Sequence, residues 1–341
     1  MSRWQAFLAW LGLVRPEKEA PAEAQAQRKL TERAGGTRAV REIPPPVHKR
    51  ISLIIHNPSV PGSGKTLNDL LGWHDPDRLT AEFIADIREV SYGYANYEIA
   101  ERILVDDFPR KADGFRYTAA DYMRNWQRRG GFHQPDGVDY QALLDEFDMI
   151  AKVDSGVIDE FWLFAFPYAG YYESIMAGPG AFWCNAPPLA GTSHASKRFI
   201  IMGFNFERGV GEMLEAYGHR AESIMERVFS DKRGSDNLWQ RFIRHESTHP
   251  GRAEVGNIHF APNSARDYDW GNPTPVPTRA PNWLNFPDLD GSTEVQTAAS
   301  WGKGDIRGHH TWWFRHLPHV QGQAGGIAYN WWQYIVDPNL V

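Results

Sequence analysis

Two glutamates follow apolar runs in the middle of the sequence. Glu173 comes shortly after residues 160–166, and Glu207 closes residues 198–206. Two carboxylates facing one cleft are what glycoside hydrolysis requires, one as acid and the other as base or nucleophile. A local role would be helix capping, because Glu207 precedes a predicted helix whose N-terminal dipole favours a carboxylate. In that helix, residues 208–229, Glu212, Glu215, His219, Glu222 and Glu226 recur every three or four positions and share a face. Such a stripe holds a metal ion or pairs an acid with a base. It is equally what a wet face looks like, since Val210, Met213, Leu214, Tyr217, Ala221, Ile224, Met225 and Val228 lie opposite. Gly218 precedes His219 and Arg220; a glycine costs a helix about 1 kcal/mol against alanine, which predicts a close approach at this step.

Other groups carry weaker signals. Cys184, the only cysteine, lies between Trp183 and Asn185 in a small-residue loop. A thiol nucleophile there would draw on His194 or His219 as base, the alternative being a small core residue. His245-Glu246-Ser247-Thr248-His249 matches H-E-x-x-H, which on a helix presents both imidazoles to zinc with Glu246 as base. His259 is then the third-ligand candidate, although Pro250-Gly251 ends any helix at or before His249. Asp267, Asp269 and Asn272 offer oxygens to a hard cation or form Asx turns. His309-His310 and His316 with His319 have no distinguishing context. Residues 59–66 differ from the phosphate loop G-x-x-x-x-G-K-[ST] only at Ser59, but Pro61 removes an amide the cradle needs.

The predicted site is therefore Glu173, Glu207, His219, Glu222 and Cys184 for catalysis, with Arg220, Trp183, Asn185, Tyr171, Asp267 and Asp269 around the substrate. His245, His249 and His259 form a separate metal set. No cofactor is dictated, and a divalent metal is compatible with these residues.

The elements that would position these groups alternate. Residues 50–56, 97–105, 158–166 and 199–206 read as strands. Residues 66–71, 80–90, 119–129, 138–153 and 208–229 read as helices, with Thr80 as a plausible cap. Alternation of strand and helix predicts an α/β domain with a mostly parallel sheet flanked by helices. Ligands in such folds sit at the carboxyl ends of the strands, where Glu173 and Glu207 fall. From residue 230 to 341 the periodicity fails and Gly, Pro, Asn, Asp and Trp dominate. An irregular stretch this long predicts a layer wrapped over the sheet's C-terminal edge, with short helices near 238–244 and 312–317. The expected organisation is residues 1–49 as an apolar segment and linker, then 50–341 as a single domain.

Composition narrows the function classes. The 341 residues are 42% hydrophobic and 23% charged, ordinary for a globular chain with a sizeable core. A net charge of −6 without a basic block argues against nucleic acid as a partner. One cysteine excludes a disulfide framework and a Cys-rich zinc site. The 14 Trp, 13 Tyr and 18 Phe suit either sugar stacking or the anchoring of a loop-rich half. Residues 1–14 are too short to span a bilayer, and the charged residues 15–19 occupy the place of a signal cleavage site. They suit a weak membrane or partner contact, and cytoplasmic location is favoured slightly over export.

The blocks Gly178-Pro-Gly-Ala-Phe-Trp-Cys-Asn185, Gly203-Phe-Asn-Phe-Glu-Arg-Gly209, Gly218-His-Arg-Ala-Glu222 and Asp267-Tyr-Asp-Trp-Gly-Asn272 resemble those of an uncharacterised bacterial α/β protein family. The resemblance covers about residues 50–341 and implies a fold but no activity, since none is established for that family. The expected function is a hydrolase acting on a small-molecule or glycan substrate, or a peptidic polymer, in an aromatic-lined cleft. The alternatives are a non-catalytic carbohydrate- or protein-binding module and a zinc hydrolase built on His245, Glu246 and His249.

Overall fold

The computed structural model describes residues 42–341; the expectations for residues 1–41 lie outside the described residues. The chain enters the fold through strand β1 (Val47–His56), which starts at Val47 rather than Arg50. A hairpin of β2 (Ser59–Val60) and β3 (Lys65–Thr66) follows, then helices α1 (Leu67–Leu71) and α2 (Pro76–Val90) and strand β4 (Ala95–Val105). Next come α3 (Ala119–Arg128), α4 (Tyr140–Glu146), α5 (Met149–Asp154), β5 (Glu160–Ala165), β6 (Ser174–Ala177), β7 (Phe199–Asn205) and the long helix α6 (Val210–Val228).

Five strands form one sheet in the order β4-β1-β5-β7-β6. The first four run parallel, and β6 pairs antiparallel with β7 at the edge. The apolar run of β5 is buried at every position, as expected of a parallel strand covered on both faces. Alternation splits its side chains between two cores. Trp162 and Phe164, with Leu53, Ile55, Met202 and Phe204, pack with Phe83 and Ile87 of α2 and with α6. Phe161 and Leu163, with Ile54 and Ile201, pack with Leu143 and Leu144 of α4 and Met149 and Val153 of α5. The molecule is thus α/β, with helices on both sides of a mostly parallel sheet.

Three local readings change, and the objection to a phosphate loop at residues 59–66 holds. The helix expected from residue 80 begins at Pro76, capped by Asp75, whose side chain accepts from Arg78 N; Pro at the first helical position has no amide to leave unpaired. Residues 138–153 form two helices, because Asp148 takes a left-handed φ of 50° between them. Strand β6 carries no periodic signal in only four residues. Residues 59–66 form an antiparallel hairpin, not a phosphate cradle. Its turn amides stay within the hairpin, as in Ser63 N to Val60 O, and the Thr66 side chain caps α1.

Residues 230–341 contain short elements: α7 (Leu238–Phe242), β8 (Val276–Thr278), α8 (Ala280–Trp283), β9 (Glu294–Gln296), α9 (Ile306–Arg315), β10 (His319–Ala324), β11 (Ile327–Asn330) and α10 (Trp332–Val336). Helices α9 and α10 pack on α6, and α9 also on α2. Trp239, Trp283, Trp301, Trp313, Trp331 and Trp332 are buried in the same core as those helices. Several are also hydrogen-bonded: Trp283 Nε1 to Glu254 Oε2, Trp301 Nε1 to Trp270 O and Trp313 Nε1 to Gly256 O, each at 2.9 Å. These indoles anchor irregular backbone and present no stacking platform. Among the described residues no helix is long and apolar enough to cross a membrane.

Candidate metal centre

Helix α6 carries Glu215, His219 and Glu222 on one face, at the spacing that makes side chains neighbours. His219 Nδ1 lies 3.0 Å from Glu222 Oε2. The other Glu222 oxygen accepts from Ile258 N at 3.0 Å and ties the 257–268 loop to the helix. The loop comes this close only because residue 218 is glycine: a Cβ there would sit 2.4 Å from Ile258 Cδ1. Asn257 Oδ1 accepts from the amides of His259 and Phe260 at 3.0 and 2.9 Å, turning the chain so that the next imidazole faces α6.

His259 Nε2 then lies 3.0 Å from His219 Nε2 and 3.1 Å from Glu215 Oε1. Its Nδ1 is 3.0 Å from Asp267 Oδ1. His219 Nε2 is 3.9 Å from Glu215 Oε1 and 4.0 Å from Glu173 Oε2. Tyr268 donates its hydroxyl proton to Glu215 Oε1 at 2.9 Å. Glu173 is held in turn by Asn185 Nδ2 at 2.6 Å, and Asn185 N donates to Ser223 Oγ on α6 at 3.1 Å.

Glu215, His219 and His259 thus form a group within metal-binding distance. Proton placement makes the fit specific. A carboxylate only accepts, so Glu222 and Asp267 each fix a proton on the Nδ1 they face. With both rings neutral, each Nε2 turns a lone pair into the same space across 3.0 Å, where a cation would bind; with His259 protonated, its Nε2–H instead faces Glu215 Oε1 at 3.1 Å. Ligands about 2.0–2.1 Å from a tetrahedral ion stand roughly 3.3 Å apart, within the observed range. Carboxylates on the far nitrogen of metal-binding imidazoles are also the usual outer support.

The electrostatics agree. Burial opposes a charge on His219, but Glu222, Glu173 and Glu215 outweigh it and raise its pKa. His259 is raised chiefly by its hydrogen bond to Glu215. Burial disfavours ionised Glu215, yet the bonds from His259 and Tyr268 prevail and lower its pKa. These shifts favour positive charge on the imidazoles beside Glu215, Glu222, Glu173 and Asp267. Side-chain exposure grades from 9% at Glu215 through 19% at His219 and 26% at His259 to 46% at Glu173, so Glu173 marks the mouth.

Glu173 also borders a cleft of about 560 Å³ at the carboxyl ends of β5 and β7, with Glu207, Arg208, Trp126, Tyr168 and Tyr171. The two strand-end carboxylates therefore face one cleft, which is partly aromatic. Tyr171 donates to or accepts from His56 Nδ1 at 2.7 Å beneath it.

Several predicted residues lie elsewhere. Arg220 is fully buried on the opposite side of α6, paired with Glu160 at 2.7 and 2.6 Å and bonded to Ile335 O at 2.8 Å, so it binds no substrate. Cys184 is fully buried beside Ser174, and burial pushes its thiol up to about 11, which removes it as a nucleophile. Trp183 is exposed and does not line the cleft. Asp269 closes a turn by accepting from Ala265 N and Asn272 Nδ2, both at 3.0 Å.

The H-E-x-x-H letters fall in turns rather than a helix. His245 bonds Ser247 Oγ, His249 bonds Thr248 Oγ1, and both Glu246 oxygens accept from Gly251 N. The zinc set His245, His249 and His259 is thereby dissolved, and His259 joins α6 instead. Glu215 is visible in the helix stripe, and its i,i+4 spacing to His219 is the signal that marks it as a ligand partner. Tyr268 carried no local signal.

Comparison of the chain with protein-family models, with curated proteins and with solved structures found no match.

Proposed function

We propose that this protein is a metal-dependent hydrolase whose ion is held by Glu215, His219 and His259 beside the strand-end cleft. The observation that carries the reading is the pair of Nε2 atoms 3.0 Å apart, each ring fixed from behind by a carboxylate. Two imidazoles and one carboxylate are the donor set of catalytic divalent sites, and Glu173, 4.0 Å from His219, links this group to the cleft. A bound ion there would supply Lewis acidity toward a substrate oxygen or a water molecule. Glu173, exposed at the mouth and hydrogen-bonded by Asn185, would move a proton between water and leaving group. Glu207, Tyr168, Tyr171 and Trp126 suit a polar polymer, glycan or peptidic, lying along the cleft. In this reading the irregular segment 230–341 is the layer that completes the centre, since it brings His259, Asp267 and Tyr268 to α6.

Elemental analysis of purified protein, with hydrolysis of a glycan and peptide panel, tests this. The expectation is about one transition-metal ion per chain, lost in the double variant His219→Ala, His259→Ala. Glu173→Gln should keep the ion and lose at least a hundredfold in turnover, the scale of a proton-transfer group. Wild-type protein that takes up no metal defeats the reading. Retained turnover in Glu173→Gln removes that residue's role, and ligand binding without any turnover favours a binding module.

A further inference from the structure

Tyr268 reaches two members of the metal centre at once. Its hydroxyl donates to Glu215 Oε1 at 2.9 Å and also lies 3.2 Å from His259 Nε2. The hydroxyl has one proton, and Glu215 takes it. When His259 is neutral, its ring proton faces Asp267 Oδ1. In that state Tyr268 Oη and His259 Nε2 both turn lone pairs to the space they share with Glu215 Oε1.

The local backbone is built to hold it there. Tyr268 takes a left-handed φ of 58°, a backbone conformation unfavourable for a bulky side chain. Tyr268 N donates to His259 O at 3.2 Å, its ring lies 4.5 Å from the His259 ring, and Trp270 meets it edge-on at 5.2 Å. The ring is half-exposed, so burial of an apolar group does not explain this placement.

Resting on the metal centre proposed above, we infer that Tyr268 is a further protein ligand of that ion, bound through its phenolate oxygen alongside Glu215, His219 and His259. Its distances to Glu215 Oε1 and His259 Nε2 match the spacing of ligand atoms around one ion, roughly 3.3 Å for tetrahedral geometry. Binding releases the hydroxyl proton to solvent, and the cation replaces it between the two oxygens. The nearby ion inverts the local preference for a neutral phenol. Two anionic ligands with two neutral imidazoles select a strongly Lewis-acidic ion and leave Glu173 free at the mouth.

Ferric iron reads this directly, because a phenolate bound to it gives an intense visible charge-transfer band that imidazole and carboxylate do not give. The full-length protein is loaded with ferric nitrilotriacetate or with zinc, desalted, and assayed for metal content and visible absorption. Wild type should hold about one ion per chain and show the band with iron. Tyr268→Phe, which keeps the ring, should still take up metal, with affinity lower by about tenfold, and show no band. Iron-loaded wild type without the band, or a band that persists in Tyr268→Phe, overturns the tyrosine ligand while leaving the centre intact. Failure of wild type to take up either metal overturns both.

Discussion

His219 and His259 owe their direction to the carboxylates behind them. Without Glu222 or Asp267 each ring could carry its proton on Nε2 and lose the lone pair that faces the centre. Outer partners of this kind are worth 10–100-fold in metal affinity. Glu222→Gln and Asp267→Asn should therefore each weaken zinc binding by roughly that factor, measured by competition with a chromophoric chelator. Thermal midpoints should stay close to wild type for Asp267→Asn, whose side chain is more than half exposed. Unchanged zinc affinity in both variants would mean that the rings are oriented by packing alone. At this scale the sequence was informative about type and poor about partner. His219 and Glu222 were visible as neighbours on one helix face, but nothing local links His219 to His259 forty positions away. The letters H-E-x-x-H pointed His259 to the wrong companions, because a motif defined on a helix means nothing in a turn.

Helix α6 and the 257–268 loop form the next level, and Gly218 is where they meet. The helix was legible from its 3.6-residue period, and the glycine in it from its cost. The reason for the glycine was not legible, since Ile258 reaches it only through the tertiary fold. Gly218→Ala gains about 1 kcal/mol of helix propensity, yet its Cβ would sit 2.4 Å from Ile258 Cδ1, an overpacking that costs typically 1–3 kcal/mol. The loop should shift outward and carry His259 with it. Gly218→Ala is thus expected to lose most zinc binding with only a small loss of stability. Adding Ile258→Ala should relieve the clash and restore much of that binding, as followed by calorimetric zinc titration. A double variant no better than Gly218→Ala would show that the loop is placed by other contacts. The same limit applies elsewhere: β5 and β7 could be read from apolar runs, whereas β6 exists because β7 offers it an edge.

Across the whole molecule, buried polar groups join the layers. The Glu160–Arg220 pair connects the start of β5 to α6 and, through Ile335 O, to the C-terminal helix α10. Removing one partner of such a pair typically costs 3–5 kcal/mol, because the other charge is stranded. Buried imidazoles add a pH dependence. His316 follows the last residue of α9 and is buried, its Nδ1 bonded to Trp312 O at 2.7 Å. Burial, with a smaller push from Arg315, lowers its pKa to about 4 despite the opposing Trp312 bond. His56, at the end of β1, is also lowered to about 4, by burial first and then by Arg116, with Asp107 opposing. The sign follows from proton counting. Between pH 6.5 and about 4 the unfolded chain binds these protons and the folded chain does not, so stability falls as pH falls. The shift lets each imidazole contribute up to about 3 kcal/mol of loss across that window. Urea midpoints of wild type should drop steadily from pH 6.5 toward 4. His316→Gln should lower the midpoint at neutral pH and make this decline shallower by its own share. An equal slope in the variant would mean that His316 is protonated in the folded state and that α9 accommodates the charge. The comparison of slopes rather than midpoints matters here, since replacing a buried ring disturbs α9 whatever its titration does.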